Sequence, residues 1–313
     1  IKFFCFINMY LLVMKQLITM FIIGLCGFIF AKAFKVDEDQ RKFLSKLLLY
    51  FINPSVIINS FNKEFDGGKL KQLLFVAALA LVVHGIMILV GLFTSKDQID
   101  RLGIAFTNCG FIGIPLIRGV FGDEGVFYLM VYLVIFNLLI WTYGYHQLSG
   151  TASFKKIITN PNIIAVALGI VLYCMPFTLP QVLATPLSMI SDLNTAVSMI
   201  VIGVLIASFN PAEGKEYIWK ITKFSILRLL ICSFICTFVL LGIYKLCGKF
   251  PDVRMLIFVV MICLSCPVAT TIPGLACVFD KNASYASLIV SVTSLLCIVT
   301  LPLLVAFAEL IIK

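Results

Sequence analysis

The stretch Gly113-Ile-Pro115-Leu-Ile-Arg-Gly-Val-Phe121 has a counterpart later in the chain, Thr271-Ile-Pro273-Gly-Leu-Ala-Cys-Val-Phe279. Both read Ile-Pro-x-x-x-x-Val-Phe, and they lie 158 positions apart, which is about half of the 313 residues. Each falls in an apolar run of the ~20 residues that a transmembrane helix needs. Proline removes a helical hydrogen bond and clashes with the preceding turn, so we expect both helices to be unwound near the membrane midplane. A pair of ordinary proline kinks is the alternative.

The composition is that of a protein embedded in lipid. Apolar residues make up 61% of the chain, charged residues only 12%, and the mean hydropathy is +1.10. A soluble domain is typically ~45–50% apolar and ~25% charged. This excludes a soluble enzyme, a nucleic-acid binder and a secreted disulfide scaffold. The net charge of +9 lies in short clusters between apolar runs, as expected of flanks that contact membrane lipid.

Charge clusters and turn residues divide the chain into ten predicted spans, at 11–33, 44–61, 70–93, 102–121, 125–147, 161–177, 187–208, 219–243, 254–279 and 284–310. Five spans per half is an odd number, so the second half must be inverted in the membrane, which is typical of secondary transporters. We therefore predict an all-α polytopic membrane protein with ten transmembrane helices, in which helices 4 and 9 are broken. The two inverted five-helix repeats are residues 1–148 and 161–313, and 149–160 is a short cytoplasmic linker.

The distribution of Lys and Arg predicts the orientation. Thirteen lie on the side of Lys155 and Lys156, and nine lie on the side of Lys63, Lys69 and Lys71. Since basic loops stay in the cytoplasm, we expect both termini outside a cell inner (plasma) membrane. The chain begins with Ile rather than Met, so the sequence leaves open whether the residues before Met14 are native.

Several further motifs resemble one family, the auxin efflux carriers, which include plant PIN-formed carriers and bacterial malate and malonate permeases. The matching stretches are Asn108-Cys-Gly-Phe-Ile-Gly-Ile-Pro115, Phe121-Gly122, Asn137 and Trp141, Leu47 to Pro54, Asn160-Pro161, Ser191-Asp192, Cys266-Pro267-Val-Ala269 and Leu301-Pro302. The resemblance implies a scaffold of helices 1, 2, 6 and 7 and a transport domain of helices 3–5 and 8–10. It also implies a substrate beside the crossing of helices 4 and 9, movement like an elevator and, with so short a linker, a compact bacterial-type permease.

The charges within the spans indicate what the site binds. Only Asp192 and Glu309 of the fifteen carboxylates fall inside spans, and none lies near the crossing. The N-terminus of a broken helix presents free N–H groups and ~+0.5 of partial charge, which suits a carboxylate. We predict a secondary transporter of a small organic anion, without enzymatic activity, cofactor or metal. An ion channel and an intramembrane enzyme are the alternatives, although we see neither a filter motif nor an HExxH sequence.

The candidate binding residues are those on the two unwound segments and their neighbours in the resemblance: Asn108, Gly113, Pro115, Pro267, Thr270, Thr271, Pro273, Asn53 and Asn137. Asn108 is expected to donate its amide N–H to the carboxylate, with an interhelical hydrogen bond as the alternative. We expect the hydroxyls of Thr270 and Thr271 either to bind the substrate or to cap the broken helix.

The remaining predictions concern two titratable residues and the partners of the protein. His84 is the candidate for proton coupling, and a neutral histidine hydrogen-bonded between helices is its alternative. Asp192 either lines an aqueous path or caps a helix. The partners expected are the anion, membrane lipid and a second copy of the chain, bound through the scaffold helices.

Overall fold

The computed structural model describes residues 9–150, 158–207 and 211–312. Throughout these residues the chain is helical, apart from turns and one isolated antiparallel β-bridge between Thr107 and Val268. Seven of the described helices are long and apolar enough to cross a membrane. Residues 1–8 and most of the predicted linker, including Lys155 and Lys156, lie outside the described residues.

The first half of the chain forms five helices, α1 (Met9–Phe34), α2 (Glu38–Phe61), α3 (Gly67–Thr94), α4 (Gln98–Ala105) and α5 (Cys109–Ser149). Helix α5 has 41 residues, about twice the length of one crossing. It is interrupted at Gly122, whose φ of 65° and ψ of −160° belong to a backbone conformation that glycine adopts readily. This interruption lies between the predicted fourth and fifth spans.

The second half forms six helices, α6 (Pro161–Cys174), α7 (Gln181–Ala207), α8 (Pro211–Ile226 continuing through Leu227–Cys232 and Ser233–Leu246), α9 (Val253–Ser265), α10 (Thr271–Val278) and α11 (Ala283–Ile311). Helix α6 ends three residues before the predicted position 177, because Pro176 cannot continue it. Helix α7 begins at Gln181 rather than at 187, so the predicted start was wrong. Pro186 is the sixth residue of the helix, past its first turn, where a proline removes one backbone hydrogen bond and crowds the preceding turn.

Polar residues in the loops start the helices. Asp37 and Gln40 form a capping box, in which the Gln40 N–H donates to Asp37 Oδ1 (2.8 Å) and the Asp37 N–H donates to Gln40 Oε1 (3.0 Å). Asp66, Asp97 and Asn282 likewise accept hydrogen bonds from first-turn N–H groups of α3, α4 and α11. These loop residues thereby define where the helices begin.

Four of the helices pack together as one group. Helix α1 packs on α7, and α2 packs on both α6 and α7. The approach of α1 to α7 needs glycine, because a Cβ at Gly203 would overlap the carbonyl oxygen of Gly24 and one at Gly27 would lie 2.6 Å from the Ile200 oxygen. Helices α3, α5, α8, α9 and α11 pack mainly with one another and with the short α4 and α10.

Two interruptions meet in the interior of the protein. One separates α4 from α5 at residues 106–108, and the other separates α9 from α10 at residues 266–270. The Asn108 N–H donates to the Pro267 oxygen (2.7 Å) and the Ala269 N–H donates to the Phe106 oxygen (3.1 Å). We call this pair of hydrogen-bonded segments the crossing. Two N–H groups and two carbonyls that the interruptions free are thus satisfied across the crossing, as a lipid environment requires.

The prolines that predicted these interruptions lie mostly beside them. Pro267 is within the second interruption. Pro273 is in the first turn of α10, where a missing N–H is tolerated, whereas Pro115 is the seventh residue of α5 and the second of its α-helical part. A five-residue π-helical segment, Cys109–Gly113, separates the first interruption from Pro115. The unwound segment therefore begins about two turns earlier than the proline suggested.

Candidate functional site

A cavity of about 50 Å³ lies at the crossing, between it and the helices α2, α5 and α6. By volume it has room for about three or four water molecules, or for a small polar molecule. We call it the crossing cavity. Its lining residues are Leu49, Asn53, Ile57, Thr107, Asn108, Gly110, Phe111, Leu133, Phe136, Asn137, Asn162, Ala269, Thr270 and Thr271.

The structure brings five of the predicted binding residues into this one cavity: Asn53, Asn108, Asn137, Thr270 and Thr271. They come from α2, from both interruptions and from α5, and they are separated by up to 218 positions in the chain. The other four predicted residues, Gly113, Pro115, Pro267 and Pro273, do not line the cavity. Their part is to shape the backbone around it.

Asn108 presents an amide donor to the cavity. It caps the N-terminus of α5, where its Oδ1 accepts a long hydrogen bond from the Phe111 N–H (3.4 Å). The residue is only 3% exposed, and its Nδ2 has no hydrogen-bond partner among the described residues. Leaving a buried donor unsatisfied costs about 1–3 kcal/mol, so this amide favours a bound acceptor.

The second interruption and the first residue of α10 contribute one hydroxyl group each. Thr270 is the residue that precedes α10, and its side chain makes no capping hydrogen bond. The Oγ1 of Thr271 is buried and has no partner among the described residues. The first turn of α10 is thus left without a side-chain cap beside the cavity.

The asparagines on the far wall are held by other asparagines. Asn53 Oδ1 accepts a hydrogen bond from Asn194 Nδ2 (2.8 Å). Asn137 Nδ2 donates to the Leu133 oxygen (2.8 Å), and its Oδ1 accepts from Asn160 Nδ2 (3.4 Å). Asn53 Nδ2 lies 3.8 Å from where a Cβ would stand on Gly110, which lines the opposite wall.

The electrostatic character of the cavity is set by helix ends rather than by carboxylates. No Asp or Glu is among the described residues that line it. The N-termini of α5 and α10 both begin at the cavity, and a helix N-terminus carries about +0.5 of partial charge. Both features favour an anion over a cation.

His84 and Asp192 lie away from this cavity. His84 Nδ1 is 2.8 Å from the Ala80 oxygen on the same helix, and its ring packs against Tyr132 and Phe136, of which Phe136 lines the cavity. Asp192 has a side chain that is 72% exposed, and its Oδ1 is 3.7 Å from Nη1 of Arg118.

Arg118 links two groups of helices. It lies on α5 and donates to the backbone oxygen of Ser191 (3.2 Å) and to its Oγ (2.9 Å), on α7. Gln16 of α1 donates its Nε2 to the Pro115 oxygen on α5 (3.2 Å).

Sequence reasoning missed three small or polar residues that line the cavity. Thr107 and Gly110 lie beside the predicted Asn108, and Asn162 follows the predicted Asn160-Pro161 start of α6, so all three stood beside a recognised signal.

The fold and cavity define a multi-pass membrane protein with a cavity between broken helices that is lined by both polar and apolar residues. A family model described as "Membrane transport protein" matches residues 12–153 and 147–305, so the chain belongs to this family. This confirms the resemblance to the auxin efflux carriers. The chain is also 27% identical over 127 residues to a protein named as an uncharacterized transporter, from Methanocaldococcus jannaschii. That match covers 36% of this chain and 40% of the relative's length.

Proposed function

We propose that this membrane transport protein is a secondary transporter that binds a small organic anion, a carboxylate, in the crossing cavity. The observation that carries the proposal is the unpartnered Asn108 Nδ2 at a cavity where two helix N-termini meet and no described lining residue is acidic. A carboxylate oxygen accepts charge-assisted hydrogen bonds from such donors. The Thr271 hydroxyl and the N-terminus of α10 supply donors from the other side.

We propose an elevator movement for transport, with α1, α2, α6 and α7 as the scaffold. The packing of these four helices with one another supports this grouping, and the remaining helices would carry the crossing cavity as one transport domain. The polar contacts between the groups include those from Gln16 to Pro115, from Arg118 to Ser191 and from the Met9 N–H to Glu309, and they would break and re-form. The two interruptions support the inverted repeat of five helices in each half.

We further propose that the protein lies in the cell inner membrane with both termini outside, as a homodimer through its scaffold helices. Single cysteines, labelled from outside the cell, check the orientation. Labelling at position 69 but not at position 155 is expected, and the reverse result overturns it. Light scattering of the purified protein in detergent is expected to give two chains, and the mass of one chain would contradict the dimer.

Uptake into proteoliposomes tests the function. We would measure uptake and thermal stabilisation with acetate, malonate, malate, isovalerate and indole-3-acetate, each beside its amide. At least one acid should be taken up saturably and should bind at least about tenfold more tightly than its amide, since the amide lacks the charge. Equal binding of acids and amides contradicts the anion site. A steady current that needs none of these acids identifies a channel instead.

A further inference from the structure

A buried arginine contacts the backbone at the crossing without lining the cavity. Arg228 is in the π-helical segment Leu227–Cys232 of α8, and it is 0% exposed. A charged side chain within a membrane helix is energetically unfavourable unless the protein satisfies it. None of the ion pairs among the described residues includes Arg228, so no described carboxylate balances its charge.

The guanidinium donates instead to carbonyl groups of both broken helices, while its Nη1 has no hydrogen-bond partner among the described residues. Its Nε donates to the Gly103 oxygen (3.1 Å), in the last turn of α4. Its Nη2 donates to the Leu264 oxygen (2.9 Å), in the last turn of α9, and to the Cys266 oxygen (3.0 Å), in the interruption that follows. One side chain therefore joins the C-terminal ends of α4 and α9.

These carbonyls are the ones that the interruptions deprive of helical donors. The helical partner of the Leu264 oxygen would be the N–H of Val268, but that N–H donates to Thr293 Oγ1 (3.2 Å). The C-terminal carbonyls of a helix carry about −0.5 of partial charge. Only three residues separate the negative end of α4 from the positive end of α5, and only five separate that of α9 from α10. Without a cation to neutralise them, the negative ends would weaken the attraction of the α5 and α10 N-termini for an anion.

We propose that Arg228 is a positioning residue for the anion site, which neutralises the C-terminal ends of α4 and α9 and holds the two interruptions in register. The inference rests on the proposed function and deepens it. Arg228 does not line the crossing cavity and acts through the backbone segments that do. The assignment depends on the planar fork of arginine, which spans carbonyls of two elements as a lysine ammonium cannot.

Three variants separate the roles of charge and geometry. Arg228→Met removes both, and Arg228→Lys keeps the charge but not the fork. Ser225→Ala is the matched control, since Ser225 is buried on the same helix about one turn earlier and its hydroxyl has no partner among the described residues. The probe is whichever acid of the uptake panel stabilises the wild-type protein most, together with its amide.

Two readouts are needed. The first is the KM for the acid and for the amide, and the second is disulfide formation between cysteines placed at Thr107 and Val268, which reports the register of the crossing. We expect Arg228→Met to raise the KM for the acid roughly tenfold or more, to narrow the preference for acid over amide, and to slow the cross-link. Arg228→Lys should keep most of the preference while slowing the cross-link. Ser225→Ala should match the wild type.

The outcomes are distinguishable from those that test the proposed function. If the wild-type protein binds no acid of the panel, the proposed function fails, whatever Arg228 does. If the wild type binds an acid and a folded Arg228→Met has the same KM, preference and cross-linking rate, this inference is overturned and the proposed function stands. If Arg228→Met does not fold, Arg228→Lys decides, and wild-type behaviour of that variant overturns the inference. Failure of both to fold restricts Arg228 to folding and overturns its assignment to the site.

Discussion

Replacing Asn108 removes the one side-chain donor on which the anion site most depends. Its Nδ2 has no partner among the described residues, whereas its Oδ1 makes only a long 3.4 Å capping hydrogen bond. A hydrogen bond to a charged group contributes about 1.5–3 kcal/mol, so Asn108→Ala should weaken carboxylate binding about 10- to 100-fold. Asn108→Asp should bind worse still, because it keeps the capping oxygen and adds a negative charge beside the anion.

Calorimetry on the purified protein, with the tightest-binding acid of the panel, measures these affinities. The matched control is Asn282→Ala, because Asn282 also caps a helix, accepting from the Tyr285 N–H (2.8 Å), but lies outside the crossing cavity. Loss of a cap costs about 0.5–2 kcal/mol of stability in either position, so the control isolates binding from folding. Wild-type affinity in a folded Asn108→Asp protein would refute the reasoning.

Three further predictions follow from the same contacts. Cysteines at Thr107 and Val268, in a background without native cysteines, should form a disulfide, because this antiparallel pair places their Cα atoms ~4.5 Å apart. Failure to form this disulfide under oxidation would argue against the crossing. Gly203→Ala should lower the free energy of unfolding by about 1–3 kcal/mol, whereas Gly242→Ala should not, because a Cβ there meets no atom within 4 Å. Equal melting temperatures of the two variants would contradict the α1–α7 contact. If His84 couples protons, His84→Gln should remove the pH dependence of uptake while keeping binding, and an unchanged pH profile leaves it a buried structural residue.

Much of the fold was predictable because its signals are local. Apolar length gives the spans, and Asp or Asn before an apolar run gives the helix starts, as at Asn160 and Asn282. The repeat of Ile-Pro located the two helices that break. It did not locate the interruptions themselves, because Pro273 lies in the first turn after one break, where a proline needs no unwinding, and Pro115 lies six positions after the start of α5.

The candidate site was predicted in part for the same reason. Asn108, Thr270 and Thr271 stood beside the repeated motif, and the structure places them at one cavity. The pairing of the interruptions joins residues more than a hundred positions apart in the chain, and so does the hydrogen bond from Arg228 to Gly103. The other two carbonyls that Arg228 binds, those of Leu264 and Cys266, lie 36 and 38 positions away. Such contacts depend on how the helices pack in three dimensions, and the hydropathy pattern of one sequence does not predict that packing.

The central claim is that the crossing cavity is where the anion binds, and filling the cavity tests it most directly. A Cβ at Gly110 would lie 3.8 Å from Asn53 Nδ2, an ordinary contact, so Gly110→Leu should fill the cavity without disturbing the backbone. Gly85→Leu is the matched control, because a Cβ there meets no atom within 4 Å. We expect calorimetry to show no carboxylate binding to folded Gly110→Leu and wild-type affinity in Gly85→Leu. Wild-type affinity in folded Gly110→Leu would contradict the account, because the anion would then bind elsewhere.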